Sequence, residues 1–133
     1  RITRILDDIP DATTRCGTIL SLLLGFAEKN PGLARVLGGD VLTGETARLR
    51  QRVHQLFERL ETQLKQVLRE AELREGWRTS ITASAAANLL IAQAEGRISQ
   101  YVRSDFKRLP TEYWEDQWTL LSGQLFRNAS QPA

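Results

Sequence analysis

The spacing of apolar residues predicts a chain built from helices. Between Glu45 and Glu75, apolar side chains recur every three or four residues, as on one face of a long amphipathic helix. The run from about Asp11 to Lys29 is apolar around nearly its whole circumference, which predicts a helix at the centre of the fold or beneath a partner. No run of residues has the alternation expected of a strand, so we expect an all-α domain.

Helix-breaking residues set the boundaries in the N-terminal half. Residues 1–6 are predicted to be the end of a helix. The helix stops there because two acidic residues and Pro10 follow. The Asn30–Gly32 turn ends the apolar helix, and its proline suits the first position of a short helix that ends at Gly38 and Gly39.

Two more helices are expected in the C-terminal half. One runs from Thr79 or Ser80, either of which can cap it, to about Phe106. The last helix follows a proline and is capped by Thr111, with acidic residues in its first turns where the helix dipole favours them. These elements belong to one domain over residues 1–127, and we expect residues 128–133 to form a disordered tail.

The last two helices are predicted to pair as an antiparallel hairpin that forms a four-helix-bundle homodimer interface. Small side chains on the first helix allow close approach, and tryptophans on the second supply a broad apolar stripe. The same features suit the core of a single chain, so the pattern leaves both arrangements open. The candidate interface residues are Ala87, Ala94, Gly96, Tyr101, Trp114, Trp118, Leu121 and Leu125.

Composition narrows the class of protein. A chain of 133 residues can build its own core, and its single cysteine excludes an internal disulfide framework and a cysteine-based zinc site. No apolar run approaches the ~20 residues of a membrane span. The net charge of +2 is too small for the clustered basic face of a nucleic-acid binder. The absence of methionine predicts that the chain is part of a longer protein.

The residues that carry catalytic chemistry are few and isolated. His54 has no partner at metal-ligand spacing and is expected to be a solvated helix residue, while Cys16 is expected to be a buried, inert thiol. Arg48, Arg50 and Arg52 alternate around a helix, which favours a solvated face over a DNA contact. We therefore expect no enzyme, no metal and no cofactor.

Gly25 is the most informative residue of the apolar helix, because glycine at such a position costs about 1 kcal/mol relative to alanine. Its presence predicts a close approach to the backbone, by a neighbouring helix or by a partner peptide. Leu22, Gly25 and Lys29 share one helix face, and Asn30 follows directly. This apolar shelf with a cation and an amide at one end suits a short peptide with apolar anchors and acidic groups.

Three segments resemble a known family: LLLGFAEKNPGL (Leu22–Leu33), HQLFERLETQLKQVLREAELREG (His54–Gly76) and YVRSDFKRLPTEYWEDQW (Tyr101–Trp118). They resemble the C-terminal domain of nucleoid occlusion factors in the tetracycline-repressor-like (TetR) family. The resemblance extends from about Ile2 to Leu125. It implies an all-helical domain that dimerises through its last two helices and follows an N-terminal helix-turn-helix DNA-binding domain, which this chain lacks.

The resemblance also implies a role in cell division. Such proteins bind specific chromosomal sites and antagonise assembly of FtsZ, the tubulin-like division protein, near the nucleoid in the cytoplasm. They take the C-terminal tail of FtsZ in a groove whose matching positions here are Arg4, Leu22, Gly25, Lys29 and Asn30. The family commonly has arginine at the position of Lys29, so the charge is kept here while bidentate recognition of a carboxylate is lost.

Two other classes remain as alternatives. An ordinary TetR-family repressor would use this domain for effector binding and dimerisation, and it would need a cavity among the middle helices. Large aliphatic side chains in those helices predict a filled core instead. The second alternative is a purely structural helical bundle, in which Leu22 serves folding alone.

Overall fold

A computed structural model of the chain describes residues 12–37, 46–74 and 77–128, and its helices confirm the all-α prediction. The predicted helix end at residues 1–6, the glycines after the short helix and residues 129–133 lie outside the described residues. The elements are α1 (Ala12–Lys29), α2 (Pro31–Leu37), α3 (Thr46–Arg74), β1 (Trp77–Thr79), α4 (Ala83–Arg103), α5 (Trp114–Leu125) and β2 (Phe126–Asn128).

Helix α4 lies at the centre of the fold, in contact with α1, α2 and α3. The apolar face of α3 buries Leu64 and Val67 completely or almost so, and α1 contributes Leu20 and Leu24. Side chains of α4, among them Leu90, complete this core. The long amphipathic helix therefore packs within the domain, which the apolar character of its neighbouring helices favours over a coiled coil.

Two three-residue strands, which the hydrophobic pattern does not predict, join the ends of the C-terminal half. β1 pairs with β2 in antiparallel register, Trp77 opposite Asn128 and Thr79 opposite Phe126. Asn128, which was assigned to the tail from the sequence, is thus part of a strand. The strands are too short for an alternating pattern to reveal them.

The N-cap of α4 is Thr82, and neither Thr79 nor Ser80 serves as predicted. The Thr82 hydroxyl accepts a hydrogen bond of 3.1 Å from the Ala85 N–H. Thr79 belongs to β1, and the Ser80 hydroxyl donates to the Gln124 carbonyl at 2.6 Å. Pairing with the distant end of α5 therefore occupies both residues that the sequence favoured as caps.

The last helix also begins later than predicted. Thr111 does not cap it; the Thr111 hydroxyl instead donates to the Glu28 carboxylate of α1 at 2.6 Å. Helix α5 starts at Trp114, and its N-cap residue Tyr113 has a left-handed backbone with φ of 61°. The loop between α4 and α5 is therefore fastened to the end of α1.

Candidate functional site

The predicted shelf lies on the outer side of α1. Leu22 is half-buried, Lys29 is exposed and ends the helix, and Gly25 between them is half-buried. A Cβ atom built on Gly25 would meet no heavy atom of the described residues within 4 Å. Of the two alternatives for Gly25, the close approach of a neighbouring helix does not occur within the described part of the chain. Arg4 lies outside the described residues.

The close approach occurs at Gly17, for which the sequence predicts no particular role. A Cβ atom there would lie 2.6 Å from Nε1 of Trp118, a separation that real Cβ atoms do not show. The available signal was the spacing of four between Thr13, Gly17 and Ser21, which puts small side chains in one row along α1. This row is the contact surface for α5.

Two stacked indoles fill the space between α1 and α5. The rings of Trp114 and Trp118 are 5.6 Å apart at 24°, and the Trp114 indole N–H donates to the Ser21 hydroxyl at 3.0 Å. The guanidinium of Arg97 lies 5.1 Å above the Trp114 ring, a cation–π arrangement. An open groove of about 470 Å³ remains beside this contact.

Asn30 closes α1 while leaving part of its amide available. Its side-chain N–H donates to the Phe26 carbonyl at 2.8 Å, which satisfies one of the free carbonyls at the helix end. The backbone carbonyl of Asn30 accepts a hydrogen bond from the Ala34 N–H at 2.9 Å, which begins α2. Within the described segments the amide oxygen of Asn30 accepts no hydrogen bond, and no carboxylate pairs with Lys29. A peptide N–H and a peptide carboxylate would each find a partner at this end of the shelf.

An apolar groove of about 330 Å³ adjoins the shelf, between α1, α2 and α3. All eight residues that line it are apolar, and three of them are exposed: Phe26 (52%), Leu33 (38%) and Leu56 (37%). Leu22 belongs both to this groove and to the shelf. The groove opens to solvent and is not an enclosed cavity of the kind that an effector-binding core requires.

Five of the eight residues proposed for a dimer interface are buried inside the single chain. They are covered by the rest of the same chain; the Tyr101 hydroxyl, for example, donates to the Glu28 carbonyl of α1 at 2.8 Å. Their assignment to a surface is therefore corrected. The buried residues are Ala87, Ala94, Tyr101, Trp114 and Leu125. Gly96 is exposed, and Trp118 and Leu121 are half-buried.

Gly96 and four residues outside that set form an exposed face of α4 and α5. Ala92 and Gly96 of α4 line a depression of about 310 Å³ together with Tyr113 and Gln117. Leu120, one turn beyond Gln117, is 71% exposed. A Cβ atom on Gly96 would meet nothing within 4 Å among the described residues. Most of the residues that line this depression are polar, and Leu120 is an exposed apolar residue of the same α4–α5 face.

Arg97 holds the corner between these two helices. Its guanidinium donates to the Pro110 carbonyl at 2.9 Å, to the Glu112 carbonyl at 2.7 Å and to the Gln117 side-chain amide. Burial lowers the pKa of Arg97 from its ordinary value, and the nearby Glu112 carboxylate opposes that shift. The residue fixes the start of α5 against α4, which is a structural role.

Three carboxylates lie close together where α3 packs on α4. Burial raises the pKa of Glu95 above its ordinary value of 4.5, and the charges of Glu61 and Glu58 raise it further.

The burial of Cys16 and the exposure of His54 agree with the sequence prediction. Among the described residues there is no group of three or more side chains that could hold a metal ion. None of the helices described is both long and apolar enough to cross a bilayer.

These features define a class of protein: a mainly helical domain in which one central helix contacts three others. A profile described as SlmA-like, tetracyclin repressor-like C-terminal domain matches residues 10–126. The chain therefore belongs to the SlmA-like family of TetR-type C-terminal domains, as its motifs predict.

Relatives with a named role cover almost the whole chain. The nucleoid occlusion factor SlmA of Shewanella amazonensis is 54% identical over 128 residues, which are 96% of this chain and 65% of the relative. The SlmA proteins of Shewanella frigidimarina and Shewanella halifaxensis are each 52% identical over the same extents. The chain thus spans about two thirds of the length of the relatives that it matches.

Proposed function

We propose that this chain is the dimerisation and FtsZ-binding domain of a nucleoid occlusion factor. In the intact protein it would work with a DNA-binding domain, act in the cytoplasm near the nucleoid and restrain cell division. The observation that carries this proposal is the 54% identity to a nucleoid occlusion factor across 96% of the chain. The role is one of binding, and we assign no catalytic step to it.

The α1 shelf supports the FtsZ part of the proposal. Gly25 leaves space above the helix, so a peptide backbone can approach where any side chain would block it. Leu22 offers an apolar contact, and Lys29 and Asn30 offer a charge and an amide to the same ligand. These are the features of a site for a short peptide with apolar and acidic groups.

A titration of a fluorescently labelled peptide with the sequence of the FtsZ C-terminal tail tests this site. We expect saturable binding by the chain and at least a tenfold weaker affinity for Gly25→Arg. The matched control is Gln66→Arg, which places the same side chain at an exposed position of α3 outside both proposed surfaces. Equal affinity of the two variants would contradict the assignment. Asn30→Ala should weaken binding less than Gly25→Arg, because it removes one acceptor and adds no steric block.

The α4–α5 face supports the proposal of a homodimer. Gly96 and Ala92 allow a second copy to approach the backbone of α4, and Leu120 and Tyr113 offer apolar surface to bury. A symmetric dimer uses the same patch twice, which suits a face with both small and large residues. Of the residues first assigned to this interface, we retain Gly96 and Leu121, because Trp118 packs on Gly17 of α1.

Sedimentation of two matched leucine variants tests the dimer. Leu120→Glu places a charge on the proposed interface, and Leu73→Glu places the same charge at the end of α3, where the leucine is 87% exposed. We expect the first variant to be monomeric and the second to remain dimeric. If Leu120→Glu forms a dimer of unchanged stability, this face is not the dimer interface.

One observation favours the alternative of an effector-binding TetR-type repressor: the apolar groove has the volume of a small ligand site. Its open side favours a surface ligand over an enclosed effector. A small molecule that is retained by the purified chain in native mass spectrometry, and that displaces no FtsZ peptide, would support the alternative.

A further inference from the structure

The apolar groove beside the shelf has no role in the function proposed above. We propose that it receives the apolar side chains of an acidic peptide segment, and that Phe26, Leu33 and Leu56 are its contacts. The inference rests on the proposed function, since the segment is the FtsZ tail that the shelf holds. It extends the binding site from α1 to α2 and α3.

The groove is lined by apolar side chains from three helices. Each of the three helices supplies one of its exposed apolar side chains, and each of these is more than a third exposed. Single exposed leucines are ordinary on a protein surface, but apolar residues gathered in one concave site mark a place of interaction. A groove between helices suits the alternate anchors of a peptide.

The groove is continuous with the shelf on α1. Leu22 lines the groove and belongs to the shelf, so the two surfaces meet at this side chain. Phe26 lies one turn further along α1 and directly follows Gly25. A single extended ligand that crosses Gly25 therefore reaches Phe26 without leaving the protein surface.

The charges at the rim favour an acidic ligand. Arg52 and Arg59 lie one turn before and one turn after Leu56 on α3, and Lys29 stands at the end of α1. All three side chains are exposed, and within residues 12–37, 46–74 and 77–128 no carboxylate pairs with any of them. The lining of the groove contains no acidic residue. An acidic peptide with apolar anchors complements both the floor and the rim.

Two leucines of α3 provide a matched test. Leu56 lines the groove and Leu73 lies near the far end of the same helix, and both are exposed. We expect the labelled FtsZ-tail peptide to bind Leu56→Gln about tenfold more weakly than the unchanged chain, and Leu73→Gln within twofold of it. Because glutamine is neutral, repulsion of the acidic peptide cannot cause the difference. Arg59→Gln should flatten the salt dependence of binding more than Arg69→Gln does.

Melting temperature and sedimentation identify any other occupant. If Leu56→Gln lowers the melting temperature more than Leu73→Gln does, another part of the chain covers the groove, and the inference is overturned. A change of sedimentation in Leu56→Gln would assign the groove to a second copy, with the same consequence. If Gly25→Arg abolishes binding while Leu56→Gln binds normally, the proposed function stands and the inference fails. No binding by the unchanged chain would overturn both.

Discussion

Helix α1 has two sides that are built from similar residues and serve different purposes. At Gly17 an indole of α5 comes within 2.6 Å of the position of an absent Cβ atom, whereas at Gly25 the space above the helix is open. Both glycines weaken an isolated helix to the same extent. Packing against α5 compensates for that loss at Gly17, while nothing in the described chain does so at Gly25. A glycine inside a helix therefore indicates that something approaches, and the structure distinguishes a neighbouring helix from an external ligand.

We expect the largest effect on stability from a substitution on the side of α1 that packs against α5. Trp114→Ala removes a buried indole together with its stacking on Trp118 and its hydrogen bond to Ser21. We expect the free energy of unfolding to fall by about 3–5 kcal/mol. Urea denaturation followed by circular dichroism measures it, and a loss under about 1 kcal/mol would mean that the α1–α5 contact contributes little to the fold.

Gly17→Ala should destabilise the fold less strongly. The new methyl group would force Trp118 to move, and overpacking of this kind costs about 1–3 kcal/mol, from which the better helix propensity of alanine subtracts up to about 1 kcal/mol. We expect a net loss in urea denaturation. In the double variant with Trp118→Ala, the alanine should become neutral or stabilising.

Gly25→Ala sharpens the comparison, because the same substitution should have the opposite sign. Its methyl group meets nothing within 4 Å among the described residues, so the free energy of unfolding should rise by up to about 1 kcal/mol. A loss of stability at this position would show that some part of the chain packs there, and the binding surface would then be misplaced.

The smallest effect depends on pH and concerns the carboxylates between α3 and α4. Because the pKa of Glu95 is raised, the folded state holds the proton more tightly than the unfolded chain, and ionisation of Glu95 opposes folding. The penalty is present at neutral pH and disappears as the pH falls through the raised pKa toward 4.5. Glu95→Gln should therefore raise the urea midpoint at pH 7 and leave it unchanged at pH 4. Glu72→Gln, exposed at the end of α3, is the control.

The sequence predicts the helices well where the periodicity is long. The bounds of α1 and α3 agree with the prediction to within one residue at each end. In α3 a sustained spacing of three and four indicates the buried face, and in α1 the turn at Asn30–Gly32 marks the end of the helix. The cap of α4 could not be predicted in this way. Thr79 and Ser80 have the right side chains, but pairing with the end of α5 more than 40 residues away occupies them.

The candidate sites were predicted less completely, for a related reason. The spacing of small and apolar residues indicates that Ala87 and Tyr101 lie on packed helix faces. It does not indicate whether the same chain or a second copy packs against them. The same limit applies to Gly25, whose open surroundings only coordinates reveal. Leu56 follows the apolar spacing of α3 and gives no sign in the sequence that it remains exposed.

One spectrum tests the two sides of α1 most directly. In amide NMR of the chain labelled with ¹⁵N, the FtsZ-tail peptide is added and the signals of Gly17 and Gly25 are followed. We expect a large chemical-shift change at Gly25 and at the adjacent Phe26, and little change at Gly17. A change at Gly17 with none at Gly25 would place the ligand on the side of α1 that faces α5 and contradict the assignment of the binding surface.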